Sequence, residues 1–135
     1  MANAAPIFQA QPSNGSPATI VNADGTAEKT LYTAGANGAL VDSVYITSSD
    51  TSAVILDVLI NDGTASYLIG AINIPTLSGT DGVASAVNLL GGSNIPALQA
   101  SGALALSPLH SLRVSAQAAV TATFTVTMVA AGGDY

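Results

Sequence analysis

One histidine, eight carboxylates and two cations are the whole of the conventional chemistry in this 135-residue chain. Covalent hydrolysis would need a nucleophile, a base beside it and a third group to orient the base. The single histidine, His110, sits in PLHSLR, flanked by strand-like residues and by no nucleophile elbow. It reads as a loop or strand-end residue, and an enzyme built on it would have to show turnover that His110→Ala abolishes. Asp57 and Asp42 stand among apolar neighbours in strand-like runs, where an outward charge discourages misregistered pairing. Arg113 is different. As one of two cations among eight acids, it is expected to pair with a carboxylate, within the chain or across a subunit boundary. No EF-hand, P-loop, G-x-G-x-x-G or H-E-x-x-H spacing is present, and Asp62-Gly63 is a pair that a turn explains. The absence of cysteine removes disulfide, zinc-finger and thiol chemistry together. Isolated Asp residues on loops could still assemble a calcium site, but no spacing marks one. No catalytic residue, cofactor or metal ligand is assigned.

The composition points toward surfaces instead of sites. Only 7% of residues are charged, against a typical value of about 25%, while 49% are hydrophobic and mean hydropathy is +0.51. An exterior made from so few ions must be a carpet of small, weakly polar side chains. Such a surface can pack against neighbouring subunits without stripping water from charges, so the chain reads as a subunit of an assembly. Its net charge of −6 repels phosphate backbones and offers almost no counterion release, so direct nucleic-acid binding is not expected. The N-terminal MANAAPIFQAQPS has no positive segment and no sustained apolar run. Apolar runs break within about eight residues, short of the roughly 18 that would span a bilayer. A soluble protein made in the cytoplasm is expected, with no membrane partner.

The elements that position these residues are strands. AVILDVLINDGTASYLIGAINIP, residues 53–75, predicts a β-hairpin in which Val54, Leu56, Val58 and Ile60 share one face with Leu68, Gly70, Ile72 and Ile74. Joining even to even favours a three-residue turn, Asn61-Asp62-Gly63, that pairs Ile60 with Thr64 and Leu56 with Leu68. Residues 1–18, punctuated by Pro6, Pro12 and Pro17, form an extended arm that is either a frayed terminus or a segment ordering on a partner. Ile7 and Phe8 would then be its apolar anchors. Residues 19–135 predict the body: short strands at 19–22, 29–33, 40–48, 87–90, 103–106, 111–117 and 120–130 besides the hairpin. In the third strand Val44 and Ile46 share a face, and Val41 and Tyr45 the other; a pattern apolar on both sides suits a strand covered by a second sheet and by an arm or another subunit. The stretch 120–130 puts Val120, Ala122, Phe124, Val126 and Met128 inward and its threonines outward. Residues 76–85 read as a long exposed loop, and Ile95-Pro96-Ala97-Leu98 as a single helical turn or irregular plug. The closing Gly132-Gly133-Asp134-Tyr135 reads as a loose end whose tyrosine ring is available as an anchor. About eight short strands and no helix-length amphipathic pattern give an all-β, single-domain β-sandwich, jelly-roll-like or of another Greek-key order.

Three segments carry a resemblance: TLYTAGANGALVDSVYITSSDTSA at 30–53, LINDGTASYLIGAINIP at 59–75 and SLRVSAQAAVTATFTVTMVAAGGDY at 111–135. Together they cover roughly half the chain, and the chain resembles the head decoration, or cement, proteins of tailed bacteriophages. The resemblance implies a structural virion protein, a β-sandwich bound to the capsid exterior, commonly as a homotrimer at threefold or quasi-threefold positions. It would bridge subunits of the major capsid protein and reinforce the shell against internal DNA pressure. Under that reading Ile7, Phe8, Arg113 and Tyr135 are the candidate contacts to capsid protein or to a neighbouring copy. The alternative is a tail or head-fibre appendage domain that binds the host surface. Aromatic residues are only 4% of the chain and include no tryptophan, which weighs against a sugar-binding module.

Overall fold

A computed structural model describes residues 17–90, residue 95 and residues 103–135. The strands are β1 (Ala18–Val21), β2 (Lys29–Thr33), β3 (Ala39–Ser48), β4 (Val54–Asn61), β5 (Ser66–Ile74), β6 (Val87–Asn88), β7 (Leu104–Leu106), β8 (Ser111–Ala116) and β9 (Thr125–Asp134). Their pairing is nested. The β4/β5 hairpin is innermost, β3 pairs with β6 and β7, β2 pairs with β8, and β1 pairs with β9, all antiparallel. Folding these pairs over one another yields two sheets, β1-β9-β3-β6 with β7 also on β3, and β2-β8-β4-β5. That is jelly-roll order, and the all-β sandwich expected from the sequence is the observed architecture. Below, the first sheet is called the β9 sheet and the second the β8 sheet.

Between the sheets lies one core. Ile20, Val41, Val44, Ile46, Val126, Met128 and Ala130 from the β9 sheet meet Leu31, Val54, Leu56, Val58, Ile72, Ile74, Leu112 and Val114 from the β8 sheet. Strand periodicity forces this, because alternate side chains must point to one face. Fully burying each of the larger aliphatic side chains contributes roughly 1.5–3 kcal/mol.

Several local expectations are corrected by bulges and side-chain captures. In the hairpin, Val54↔Ile74, Leu56↔Ile72 and Val58↔Gly70 pair even to even as expected, but the turn end does not. Leu59 pairs with Leu68, Ile60 with Tyr67 and Asn61 with Ser66, so Ile69 is an extra residue and the phase change is a bulge inside β5. Leu68 consequently points outward and is 62% exposed. The loop has four residues, 62–65. Asp62 Oδ1 accepts from the backbone N–H groups of Thr64 and Ala65, both at 2.8 Å, and Asn61 Oδ1 accepts from Gly63 at 2.8 Å. Those three captured donors close the longer loop in place of the three-residue turn.

In β3, Val41 pairs with Gly132 and Ser43 with Ala131, leaving Asp42 as a bulge. The extra residue turns both Val41 and Val44 inward, so Val41 does not share a face with Tyr45. Gly132 makes this close approach possible: a Cβ there would lie 2.8 Å from the Cα of Val41 and collide with the Leu40 carbonyl oxygen.

The last strand starts later and runs further than expected. Residues 121–124 form a turn, with Phe124 N–H donating to Thr121 O at 3.1 Å and Thr123 at φ 74°, and Ala122 is exposed. At the other end Gly132, Gly133 and Asp134 belong to β9, so the tail is a paired strand end and not a loose one. The strand predicted at 87–90 is confined to Val87–Asn88. Within 76–85, Ser78 is buried, and its backbone carbonyl accepts from Ser48 N–H at 2.9 Å. Ile7, Phe8 and residues 1–16 of the arm lie outside the described residues, as do Pro96 to Leu98 of the expected plug; Ile95 is buried.

Candidate functional site

The groups that could have done chemistry are dispersed. His110 lies between β7 and β8, where its backbone carbonyl accepts from Ala34 N–H at 2.8 Å and its N–H donates to Ser107 O at 3.1 Å. Asp57 accepts from Gln117 Nε2 at 2.7 Å. Among the described residues no three His, Asp or Glu side chains come together to hold a metal ion.

Both cations pair within the chain. Lys29 Nζ is 2.8 Å from Asp24 Oδ1, and that ammonium, with the Val21 N–H, holds the Asp24 carboxyl below its ordinary value. Arg113 Nη1 is 3.3 Å from Glu28 Oε2, and its Nε donates to Ser111 Oγ at 3.0 Å. Glu28 Oε2 also accepts from Ser66 Oγ, which in turn accepts from Asn61 Nδ2, both at 2.9 Å. Of the sequence-stated candidates, Arg113 thus finds its carboxylate in the same chain. Tyr135 is half-buried, and its N–H donates to Gly38 O at 3.1 Å. These two candidates sit on different elements, Arg113 in β8 and Tyr135 just past β9.

Two carboxylates matter more to the fold than the sequence suggested. Asp50 is 1% exposed, with Oδ1 accepting from Ser52 N–H at 2.8 Å and Oδ2 from Thr121 N–H at 2.9 Å. Burial pushes its carboxyl up, yet the Ser52, Thr121 and Thr51 bonds outweigh that and hold it below the usual value. The only trace in sequence was an Asp followed two residues later by Ser, the mark of an Asx turn. Beside it opens a shallow cleft of about 330 Å³ lined by Asp50, Val54, Ile55, Gln117 and Thr121. Both Asp50 oxygens are already occupied, so the cleft presents no unsatisfied carboxylate. At the opposite end Asp134 Oδ1 accepts from Tyr32 Oη at 3.0 Å and from Gly35 N–H at 3.2 Å. Burial first, and the Asp134 bond second, push the Tyr32 phenol above its ordinary value.

What remains open is surface. The outward side of the β9 sheet is assembled row by row from paired residues: Thr19, Thr127 and Thr47; Val21 and Thr125; Tyr45 and Val129; Ser43 and Ala131. None of the nine is charged, and Tyr45 is 53% exposed; the exposed carboxylate of Asp42, in the β3 bulge, stands beside the array next to Ser43. The outward side of the β8 sheet mixes Ile55, Leu59 and Leu68 with Asp57, Arg113, Ser115 and the Glu28 network. Antiparallel pairing puts the threonines in register across three strands, which makes the β9 face broad, poor in ions and able to hydrogen-bond in either direction. No protein-family model matches the chain, and no curated protein matches it.

Proposed function

We propose that the protein is a structural virion protein that binds the outer surface of a tailed-phage capsid and stabilises the shell by bridging major capsid protein subunits, as a trimer. The observation that best supports this reading is the ion-poor outward face of the β9 sheet, in which nine adjacent residues present no ion to desolvate and the exposed Asp42 of the β3 bulge stands at one end of the array, next to Ser43. A cement protein needs no turnover. It needs complementary patches repeated by symmetry, and each added contact stabilises the shell by mass action as occupancy rises. The arm leaves the body at Pro17, next to β1 at the edge of that sheet. It is therefore attached where it can extend a contact begun by the face, with Ile7 and Phe8 as its anchors.

The test is retention on purified particles. Undecorated heads are expected to bind the protein and become more resistant to heat, whereas host cells retain none. Retention by host cells alone would replace this reading with that of an appendage domain. Removing residues 2–17 is expected to weaken binding to heads; unchanged binding would take the arm out of the mechanism.

A further inference from the structure

Proteins with open sheets protect their edges, and three of the four edges here follow that rule. On the β9 sheet, β1 has four residues, and β6 and β7 have two and three. On the β8 sheet, β2 has five residues and begins with Lys29. The fourth edge is β5, nine residues long, with no charge and no proline between Ser66 and Ile74. Among the described residues β4 is its sole strand partner. Beyond the Ile69 bulge, residues 70–74 form a regular stretch, in which Ile72 and Ile74 are buried while Ala71 and Asn73 are exposed. Tyr67, at 57% exposure, lies on the same strand.

We propose that β5 is a self-association edge: it pairs antiparallel with β5 of a second copy about a twofold axis, joining two four-stranded sheets into one of eight. The occupant follows from charge. At −6 per chain, two copies repel unless they meet where carboxylates are distant. The acid nearest to the regular stretch is Asp57, opposite Ala71 on β4. Across a twofold β5 pair, the two Asp57 residues stand three strand spacings apart, about 14 Å, beyond the roughly 8 Å screening length at physiological salt. The outward residues of the regular stretch are small and neutral, so self-pairing sets no like charges opposite one another. This contact is isologous. Its location on a particle rests on the decoration reading: trimers at adjacent threefold positions of a shell are related by twofold axes, and the β5 pair would tie them together.

The chain has no cysteine, so single cysteines report pairing directly, and heads are not needed. Ala71→Cys, Asn73→Cys and their equimolar mixture are oxidised beside Thr30→Cys, an exposed position on β2. A disulfide needs Cα atoms about 4.4–6.8 Å apart, so one of the three samples is expected to form covalent dimer at least tenfold faster than the Thr30→Cys control. Ala71→Lys, at an exposed site that leaves the core untouched, is expected to weaken association at least tenfold in sedimentation. Rates no faster than the control in all three samples would overturn the proposal. So would faster cross-linking of Ala71→Cys with Gln9→Cys, which would show the arm on that edge. Pairing that is found in a protein ignoring heads would leave the edge intact and remove the decoration reading.

Discussion

The two outward faces of this sandwich are made from strands of the same kind and differ in where the ions are. On the β8 face, Arg113 pairs directly with Glu28, Ser111 accepts from Arg113, Ser66 donates to Glu28 and accepts from Asn61, and Gln117 donates to Asp57. On the β9 face, rows of threonine, valine and tyrosine run across three strands with no charge among them, and the exposed Asp42 stands at their end, in the β3 bulge. A chain with only 7% charged residues has concentrated part of its small supply on one side. The β8 face is already satisfied internally, while the β9 face can be covered at little desolvation cost. The difference separates a side whose polar groups serve the fold from a side free to serve a neighbour.

The largest effect should come from erasing that difference. Val129→Glu places a carboxylate beside Tyr45 in the middle of the neutral face. If capsid protein covers it, the buried and unpaired charge should weaken binding to heads by a hundredfold or more, about 2.7 kcal/mol. The mirror substitution Ser115→Glu on the β8 face should change binding by less than threefold, about 0.7 kcal/mol. Binding isotherms on undecorated heads, with melting curves to show that both variants fold, measure the contrast. Equal losses from the two faces would contradict it.

Next in size is a change that touches neither face. Asp50→Ala leaves the Ser52 and Thr121 N–H groups without their acceptor inside the fold, and should cost about 2–3 kcal/mol in denaturant titration. Binding per folded molecule should be unaltered. The same carboxylate gives the chain an acid limit. Its folded pKa lies below the ordinary 3.8, so its contribution is complete above that value and is lost as pH falls through the lowered one. Asp50→Asn should therefore flatten the decline in stability below about pH 4. A wild-type decline that persists unchanged in Asp50→Asn would remove Asp50 as its source.

Most of the architecture was legible because alternation is a strong signal. Lys29–Thr33 was placed to the residue, and Leu112, Val114 and Ala116 do share the buried face of β8. Nested pairing was beyond reach, since which distant strands meet is decided by the whole core and not by any local pattern. The misplacements have two physical origins, bulges and side-chain capture of backbone N–H groups. Bulges at Asp42 and Ile69 each insert one residue, and one residue is enough to exchange the faces of a strand. The turn at 121–124 arose because Asp50 and Ser49, some 70 residues earlier in sequence, capture the N–H groups of Thr121 and Thr125. Alternation alone extends the last strand through it. The β9 face was partly visible, as the threonines at 125 and 127, but the row formed with Thr19 and Thr47 exists only once strands far apart in sequence are paired, Thr127 with Thr19 on one side and with Thr47 on the other.

The smallest predicted effect sharpens the comparison from the charged side. Arg113 is the cation expected from sequence to bridge to a carboxylate, and its guanidinium reaches Glu28 at 3.3 Å with both side chains about one-third exposed. Exposed pairs of this kind contribute about 0.2–1 kcal/mol. Arg113→Ala should lower stability by no more than that, and the loss should shrink further in high salt. A double-mutant cycle with Glu28→Gln isolates the pair from whatever else the arginine side chain contributes beside Leu59 and Thr30, its register neighbours. Because the pair is already satisfied in one chain, binding to heads should be unchanged in Arg113→Ala. A large loss of binding with little loss of stability would mean that Arg113 leaves Glu28 for a carboxylate on the partner, and would make the β8 face a contact surface as well.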